Sequence, residues 1–407
     1  MALKGEFKRI WGRYAAEMRT AIKDKTFRTG VSRATKSYEE GITPLLERFK
    51  ESSTLAEEVR RIKEKAIENI EDLIKMAERS FTEKGIKVYL AKDADEAKQI
   101  IGKIVGSGKI IVKSKSITTE EIHLREYLIE QGNEVWETDL GEFIIQIAKE
   151  RPMHLVTPAM HVPRERVARL LKELFKRSYD PNDIPELVKA VSDFLREKYF
   201  TADVGIIGAN AIAAKDGCVV LIHNEGNIRM VTCIPNKLII VAGIEKIVPT
   251  LEDAFKVVYI TARYAEYKVA GYFDVIAGPK TISLPSGERV SSVGPSEIHL
   301  ILLDNGRSRM INDPLFKEAA YCLRCGACMY SCPVFKITAG KFGGPVYMGG
   351  IGVIWTYFVH GPEYAIPGAY SCLIDGRCYE RCPMKIDTPR MIKELRARYA
   401  SGEAFRG

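Results

Sequence analysis

The chain lacks the features that would thread it through a bilayer, anchor a nucleotide or mark it for an oxidising compartment. Its richest apolar stretch, residues 346–359, is broken by Gly349, Gly350 and Gly352, short of the roughly 20 apolar residues that a spanning helix needs. No basic-then-apolar leader with a small-residue cleavage site opens the sequence, so export is not expected. A glycine-rich dinucleotide fingerprint after the first strand is missing, as is a P-loop, which leaves hydride and ATP chemistry without an anchor. Low-complexity tracts are absent, and nothing repeats internally except one pair of cysteine motifs. Of the nine cysteines only Cys218 and Cys233 stand outside those motifs, in apolar, strand-like runs that suit packed core thiols. Cysteines that serve metal rather than disulfides fit a reducing cytoplasm.

The other seven cysteines carry the strongest signal. The first run reads Cys322-x2-Cys325-x2-Cys328-x3-Cys332-Pro333, the spacing of bacterial ferredoxins, whose fourth cysteine ligates the other cluster of a pair. That arrangement demands a partner motif, and Cys372-x5-Cys378-x3-Cys382-Pro383 supplies one. Thiolates are soft ligands suited to iron–sulfide. The spacing therefore assigns one 4Fe-4S cluster to Cys322, Cys325, Cys328 and Cys382, and a second cluster to Cys332, Cys372 and Cys378. Where the second motif should place its middle cysteine stands Asp375. Carboxylate is a harder and weaker iron ligand than thiolate, and three readings stay open. Asp375 completes a 4Fe-4S cluster; that corner is empty and the cluster is 3Fe-4S; or Asp375 faces solvent while another group fills the site. Cys-x2-Cys pairs also build zinc knuckles, but two interlocking runs that both close in Cys-Pro argue against zinc.

At 407 residues, 46% hydrophobic and 28% charged, the composition is that of an ordinary soluble protein of two or three domains. The net charge of +8 is uneven, for residues 1–50 hold twelve Lys and Arg against six Asp and Glu. Such a segment can meet an acidic partner, anionic lipid or nucleic acid. No nucleic-acid motif or aromatic platform accompanies it, so a solvated face is the default and no nucleic-acid partner is expected.

Residues 1–82 read as basic helices. Phe7, Ile10, Trp11, Tyr14, Met18 and Ile22 form one stripe, which packs on the chain's own body, docks a partner or lies on a membrane surface. A second helix is expected to open at Thr54 with Glu57 as a capping box. Its stripe runs Leu55, Val59, Ile62, Ala66, Ile70, Leu73 and Ala77. Residues 83–305 alternate strands (86–90, 109–112, 134–137 and 154–157) with helices. Those helices start at Asp93 and Thr118, each with Glu three residues on, and Gly132 stands where a left-handed cap would follow. This alternation implies a largely parallel sheet. Two helical stretches between 164 and 199 lead to a β-rich region, 202–248, and a helix over 251–267. Residues 306–407 hold both cysteine motifs, separated by 39 residues, which suggests a helical cluster domain rather than the compact β-hairpin ferredoxin.

Outside the clusters, Lys113-Ser114-Lys115-Ser116 sits where a strand gives way to a helix, the usual ligand edge of an open α/β sheet. Two lysines and two hydroxyls there suit a phosphate or carboxylate, or form a solvated loop. Thr118 and Glu121 read as capping. His223-Asn224-Glu225-Gly226-Asn227 is either a hairpin turn or a polar site with Glu225 able to form a covalent adduct. His161 is a third acid/base candidate. The small-molecule candidates are thus Lys113, Lys115, Asn224 and Glu225.

Several segments together give a family resemblance. They are Val112-Lys113-Ser114-Lys115-Ser116, Thr119-Glu120-Glu121-Ile122, Glu137-Thr138-Asp139-Leu140-Gly141-Glu142, Gly208-Ala209-Asn210 and Asn224-Glu225-Gly226-Asn227. To these add Val248-Pro249-Thr250-Leu251-Glu252, Leu303-Asp304-Asn305-Gly306-Arg307-Ser308, Cys325-Gly326-Ala327-Cys328 and Cys382-Pro383. Over nearly its whole length the chain resembles the lactate-utilisation iron–sulfur protein B family. The resemblance implies an α/β domain similar to the ribose-phosphate isomerase and CoA-transferase fold group, followed by a helical two-cluster ferredoxin. Glu225 is similar to the acidic nucleophile of CoA transferases, an analogy of fold alone. The implied role is electron transfer during oxidation of L-lactate, or a related 2-hydroxy acid, to the keto acid. Implied partners are a cysteine-rich A-type and a C-type lactate-utilisation subunit, with a quinone, flavin or ferredoxin as acceptor, in the cytoplasm or peripheral to the inner face of the membrane. Family members usually carry cysteine at the place of Asp375 and none at that of Cys372, and longer relatives extend beyond this chain's last helix. The alternative is a small-molecule-binding α/β enzyme domain coupled to a heterodisulfide-reductase-like assembly; a cluster-sensing scaffold is a third reading.

Overall fold

The computed structural model describes residues 2–265, 272–279, 282–283, 289–290 and 294–405. Four helices open the chain: Ala2–Lys23, Lys25–Arg48, Glu51–Glu68 and Ile70–Glu83. Asp24 divides the first two and caps the second, its carboxylate accepting from the Phe27 amide at 2.9 Å. The aromatic stripe of the first helix packs on the chain's own C-terminal segment, with Phe7 against Tyr399 and Phe405 and Trp11 against Tyr370. The box expected at Thr54 is not used. Backbone at Lys50 is already helical, so the helix starts earlier and Thr54 lies inside it; Asn69 then splits the expected stripe between two helices.

Among the described residues twelve strands follow: β1 (Lys87–Ala91), β2 (Ile110–Lys113), β3 (Glu134–Glu137), β4 (Val204–Ile207), β5 (Ala211–Ala213), β6 (Cys218–His223), β7 (Lys237–Gly243), β8 (Ile247–Val248), β9 (Tyr272–Ile276), β10 (Ile282–Ser283), β11 (Arg289–Val290) and β12 (Glu297–Leu303). Six form a wholly parallel sheet in the order β1-β12-β7-β4-β2-β3. Its central strands β7 and β12 are apolar runs buried along almost their whole length, the pattern of a sheet covered on both faces. A second sheet, β8-β5-β6-β9, pairs β6 antiparallel to β5 and β9. The expected α/β class with a mostly parallel sheet, helical N-terminus and helical C-terminus is what the chain adopts.

Local expectations fare unevenly. Asp93 caps its helix by accepting from the Glu96 amide at 2.9 Å, and Gly132 takes φ +83° after Glu130 ends its helix. The next cap is Ser116, not Thr118, and that helix stops at Glu121 because His123 turns left-handed. Residues 154–157 make no strand: the His154 imidazole accepts the Val156 and Thr157 amides at 3.1 and 3.2 Å, which holds the segment as a turn. Asn224-Glu225-Gly226 is no hairpin, since the chain leaves β6 into the helix Asn227–Cys233. The helix expected over 251–267 is Leu251–Ala265; its last two residues fall outside those described.

The 39-residue insertion folds as helices, chiefly Gly349–Val359 and Pro362–Ser371. Among the described residues no helix is long and apolar enough to cross a membrane.

Candidate metal centre and adjoining cavity

The two cysteine loops share one backbone. After Cys322 and after Cys372 the chain takes a left-handed residue two positions on, Arg324 (φ 61°) and Ile374 (φ 57°), and a left-handed glycine at four, Gly326 (φ 77°) and Gly376 (φ 84°). Each left-handed residue turns its amide onto the preceding cysteine's Sγ at 3.4 Å. A five-residue helix follows in each, Ala327–Ser331 and Arg377–Arg381, ending at Cys332 and Cys382. By this equivalence Asp375 occupies the place that Cys325 holds in the first loop.

Folding sorts the sulfurs into two neighbouring groups. Cys325 and Cys328 lie within electrostatic reach of Cys322 and Cys382. Cys378 and Cys332 both feel Cys372 and Asp375. Cys328 also feels Cys378, and Arg381 donates to Ser331 Oγ at 3.3 Å, so the groups adjoin. Burial pushes the Cys332 and Cys382 thiols up to about 11 and Cys378 to about 12, and raises Cys325, Cys328 and Cys372 as well. Thiolates gathered in such surroundings need the positive charge of bound iron. Among the described residues no three His, Cys, Asp or Glu side chains close on a single ion. A donor set of soft sulfurs, held by backbone amides and spread wider than one ion needs, fits a cluster's corners. Asp375 itself pairs with Arg377 at 3.3 Å.

The first loop is clamped by a buried ionic network. Arg307 donates to Glu121 at 2.8 Å and to Glu245 at 2.6 Å, while Arg324 reaches Glu245 and the Tyr347 hydroxyl, each at 2.7 Å. Tyr347 in turn donates to Glu121, and both guanidinium groups lie over Trp355. Burial works against ionisation here, yet Arg307 and Arg324 hold the Glu245 carboxyl well below its usual range. Glu121, read from sequence as a cap, is a full member of this network. Above the same loop His154 is buried, donates to the Gly326 carbonyl at 3.4 Å and stacks near Tyr330; its pKa falls to about 3 by burial. A side chain at position 326 would strike that ring.

Beside Arg324 lies a cavity of about 260 Å³ between the α/β domain and the first loop. Lys115, Asn224 and Glu225, three of the small-molecule candidates, line it. Lys115 is bound to Asp139 at 3.0 Å, and Glu225 accepts from the Leu140 amide at 3.5 Å. Lys113 does not reach it: the ammonium is buried between Glu137 (2.8 Å) and Glu120 (3.1 Å) under β2 and β3. His223 lines the cavity with Nε2 2.6 Å from Asp274. His161 stands elsewhere, 2.8 Å from Glu150. Sequence reasoning missed Lys246 and Arg324. Nothing in a hydropathy pattern marks them, although Arg324 stands between two cysteines. Burial, with Arg324 next, pushes the Lys246 ammonium down to about 7.

Comparison with known proteins follows this geometry. Residues 74–303 match the LUD domain family, and residues 318–386 match the 4Fe-4S dicluster domain. Lactate utilization protein B of Macrococcus caseolyticus is 34% identical over 93% of this chain and 78% of its own. The protein of that name from Bacillus licheniformis is 37% identical, over 87% of this chain and 73% of its own. The chain belongs to the lactate utilization protein B family. It is a lactate-utilisation iron–sulfur protein with a LUD domain and a 4Fe-4S dicluster domain. A crystal structure of a DUF162 family protein from Deinococcus radiodurans aligns with 57% of this chain and 98% of its own, at 14% identity and a TM-score of 0.33. In lactate utilization protein B terms, the cysteine loops fall in the dicluster segment and the cavity's Lys115, Asn224 and Glu225 in the LUD segment.

Proposed function

We propose that this chain is the electron-transfer subunit of an assembly that oxidises L-lactate, or a related 2-hydroxy acid, to the keto acid. Cys322, Cys325, Cys328 and Cys382 would hold one 4Fe-4S cluster, and Cys332, Cys372, Cys378 and Asp375 the other. When bound, these clusters supply one-electron redox chemistry. The observation that carries the reading is the interleaving of two loops of one backbone shape, each giving its Cys-Pro cysteine to the other's group. Asp375 as a ligand is supported by its equivalence to Cys325.

The chain's own layout gives the pair a direction. Arg324 and Leu323 of the first loop line the cavity, and the loop is buried against the α/β domain. The second loop faces outward, with Leu373 67% exposed and Tyr379 and Tyr370 more than two-fifths exposed. That face suits a redox partner, in this reading an A-type or C-type subunit or a quinone, flavin or ferredoxin acceptor. Anaerobic purification from the native host, with iron counting and electron paramagnetic resonance after adding L-lactate, tests the reading. About eight irons per chain and substrate-dependent reduction in the co-purified assembly are expected. Zinc, or only about four irons, would sink it.

A further inference from the structure

The cavity beside the first loop contains groups that carrying electrons does not use. Lys246 lines it, is buried, and makes no ion pair or hydrogen bond with any described residue. Ser114 Oγ and His223 Nδ1, on residues of the same walls, are buried without a partner among the described residues. A buried ammonium and two buried polar atoms left unmatched are costly, and such sites persist where a ligand meets them. The other nearby cations are already matched: Lys115 by Asp139, and Arg324 by Glu245 and Tyr347. One positive charge therefore remains. Asp139 and Glu225 share the lining and oppose a second negative charge on whatever enters.

Size narrows the class further. At about 30 Å³ per water, the cavity has room for about eight or nine waters. A small organic acid with a few waters fills it. We propose that this cavity binds a small monocarboxylate bearing a neighbouring hydroxyl or oxo group, with Lys246 as counter-ion to the carboxylate and Ser114 and His223 as partners of the neighbouring oxygen. The proposal deepens the electron-carrier reading and rests on it in one respect: the ligand sits against Arg324, so its charge is felt at the first ligand set. An added anion there disfavours reduction, and occupancy lowers the midpoint potential of the first cluster.

The test is calorimetric titration of the anaerobic holoprotein with pyruvate, L-lactate and inorganic phosphate, followed by redox titration with and without saturating pyruvate. One site per chain is expected for at least one acid, with phosphate weaker. Lys246→Met should weaken that binding about ten-fold or more, because a hydrogen bond to a charged group is lost, while Lys246→Arg retains most of it. Ser114→Ala should weaken it several-fold and serves if Lys246→Met fails to fold by circular dichroism. The first cluster's signal should shift to lower potential on pyruvate binding. Phosphate binding more tightly than either acid, or Lys246→Met binding normally, overturns the proposal. So does a full iron complement with no heat from either acid, which leaves the carrier reading intact. Binding that persists in protein short of iron keeps the pocket and removes the carrier reading instead.

Discussion

Two loops with the same turns and the same amide-to-sulfur contacts live in opposite surroundings. The first, residues 322–333, is roofed by His154, which packs on the loop's own Tyr330, and is tied through Arg324 to buried Glu245. The second, residues 372–383, has no buried residue in its short helix and presents Leu373 and Tyr379 to solvent. In the first the middle position of the motif is a buried cysteine; in the second it is Asp375 beside Arg377. One backbone solution thus serves an inner and an outer station. The difference lies in what packs around each loop rather than in the loop itself, and burial and hydrogen bonding around the sulfurs are the levers that set cluster potentials.

The largest effect should come from removing one ligand on each side. Cys328→Ala and Cys378→Ala should each lose about four irons per chain. Only the first should also lower the thermal midpoint of the α/β domain, because its loop is part of that domain's packing. Equal thermal losses would erase the inner and outer distinction. Next is Arg307→Ala, which leaves Glu121 buried without its ion-pair partner and Glu245 with Arg324 alone, and should cost about 3–5 kcal/mol in urea denaturation. It should broaden the first cluster's resonance signal and leave the second unchanged. Asp375→Cys should abolish any three-iron signal and slow iron loss from the outer station on mild oxidation; spectra identical before and after would show that this carboxylate is no ligand.

The smallest expected effect lies away from both loops. Burial, then Glu137 and Glu120, raises the Glu142 carboxyl to about 8, against an unfolded value near the ordinary of about 4.3. Between those values the folded chain keeps a proton that the unfolded chain has released. Stability from this group is therefore complete below about pH 4 and falls as pH rises to about 8, by at most about 1.4 kcal/mol per pH unit. Glu142→Gln should flatten that decline in denaturation curves taken from pH 5 to 8, with both cluster signals unaltered.

The cysteine spacing marked a two-motif iron–sulfur segment, since ligand spacing is a local property, and that segment matches the 4Fe-4S dicluster domain. The parallel sheet was readable from a local pattern too, because β1, β2 and β3 alternate with helices; β12, which pairs between β1 and β7, was not foreseen. What stayed hidden was anything made by distant residues meeting. Lys113 and Lys115 look alike on paper, and strand alternation would put both on one face, yet β2 ends at Lys113, which stays buried against Glu137, and the turn after it carries Lys115 to the cavity. Glu121 has the right spacing for a cap but meets Arg307, 186 residues away. Lys246 lines the cavity while Glu245, its neighbour, turns into the buried network, a parting that no local pattern announces.

The exchange of Cys332 and Cys382 between the loops, in the proposed assignment, has a bearing on assembly. Each centre would draw donors from both loops, so a peptide carrying one loop alone could complete neither, and a single cut between residues 332 and 372 would unseat both. Loading of iron and sulfide would therefore wait until the two loops have met, in a body already folded around them.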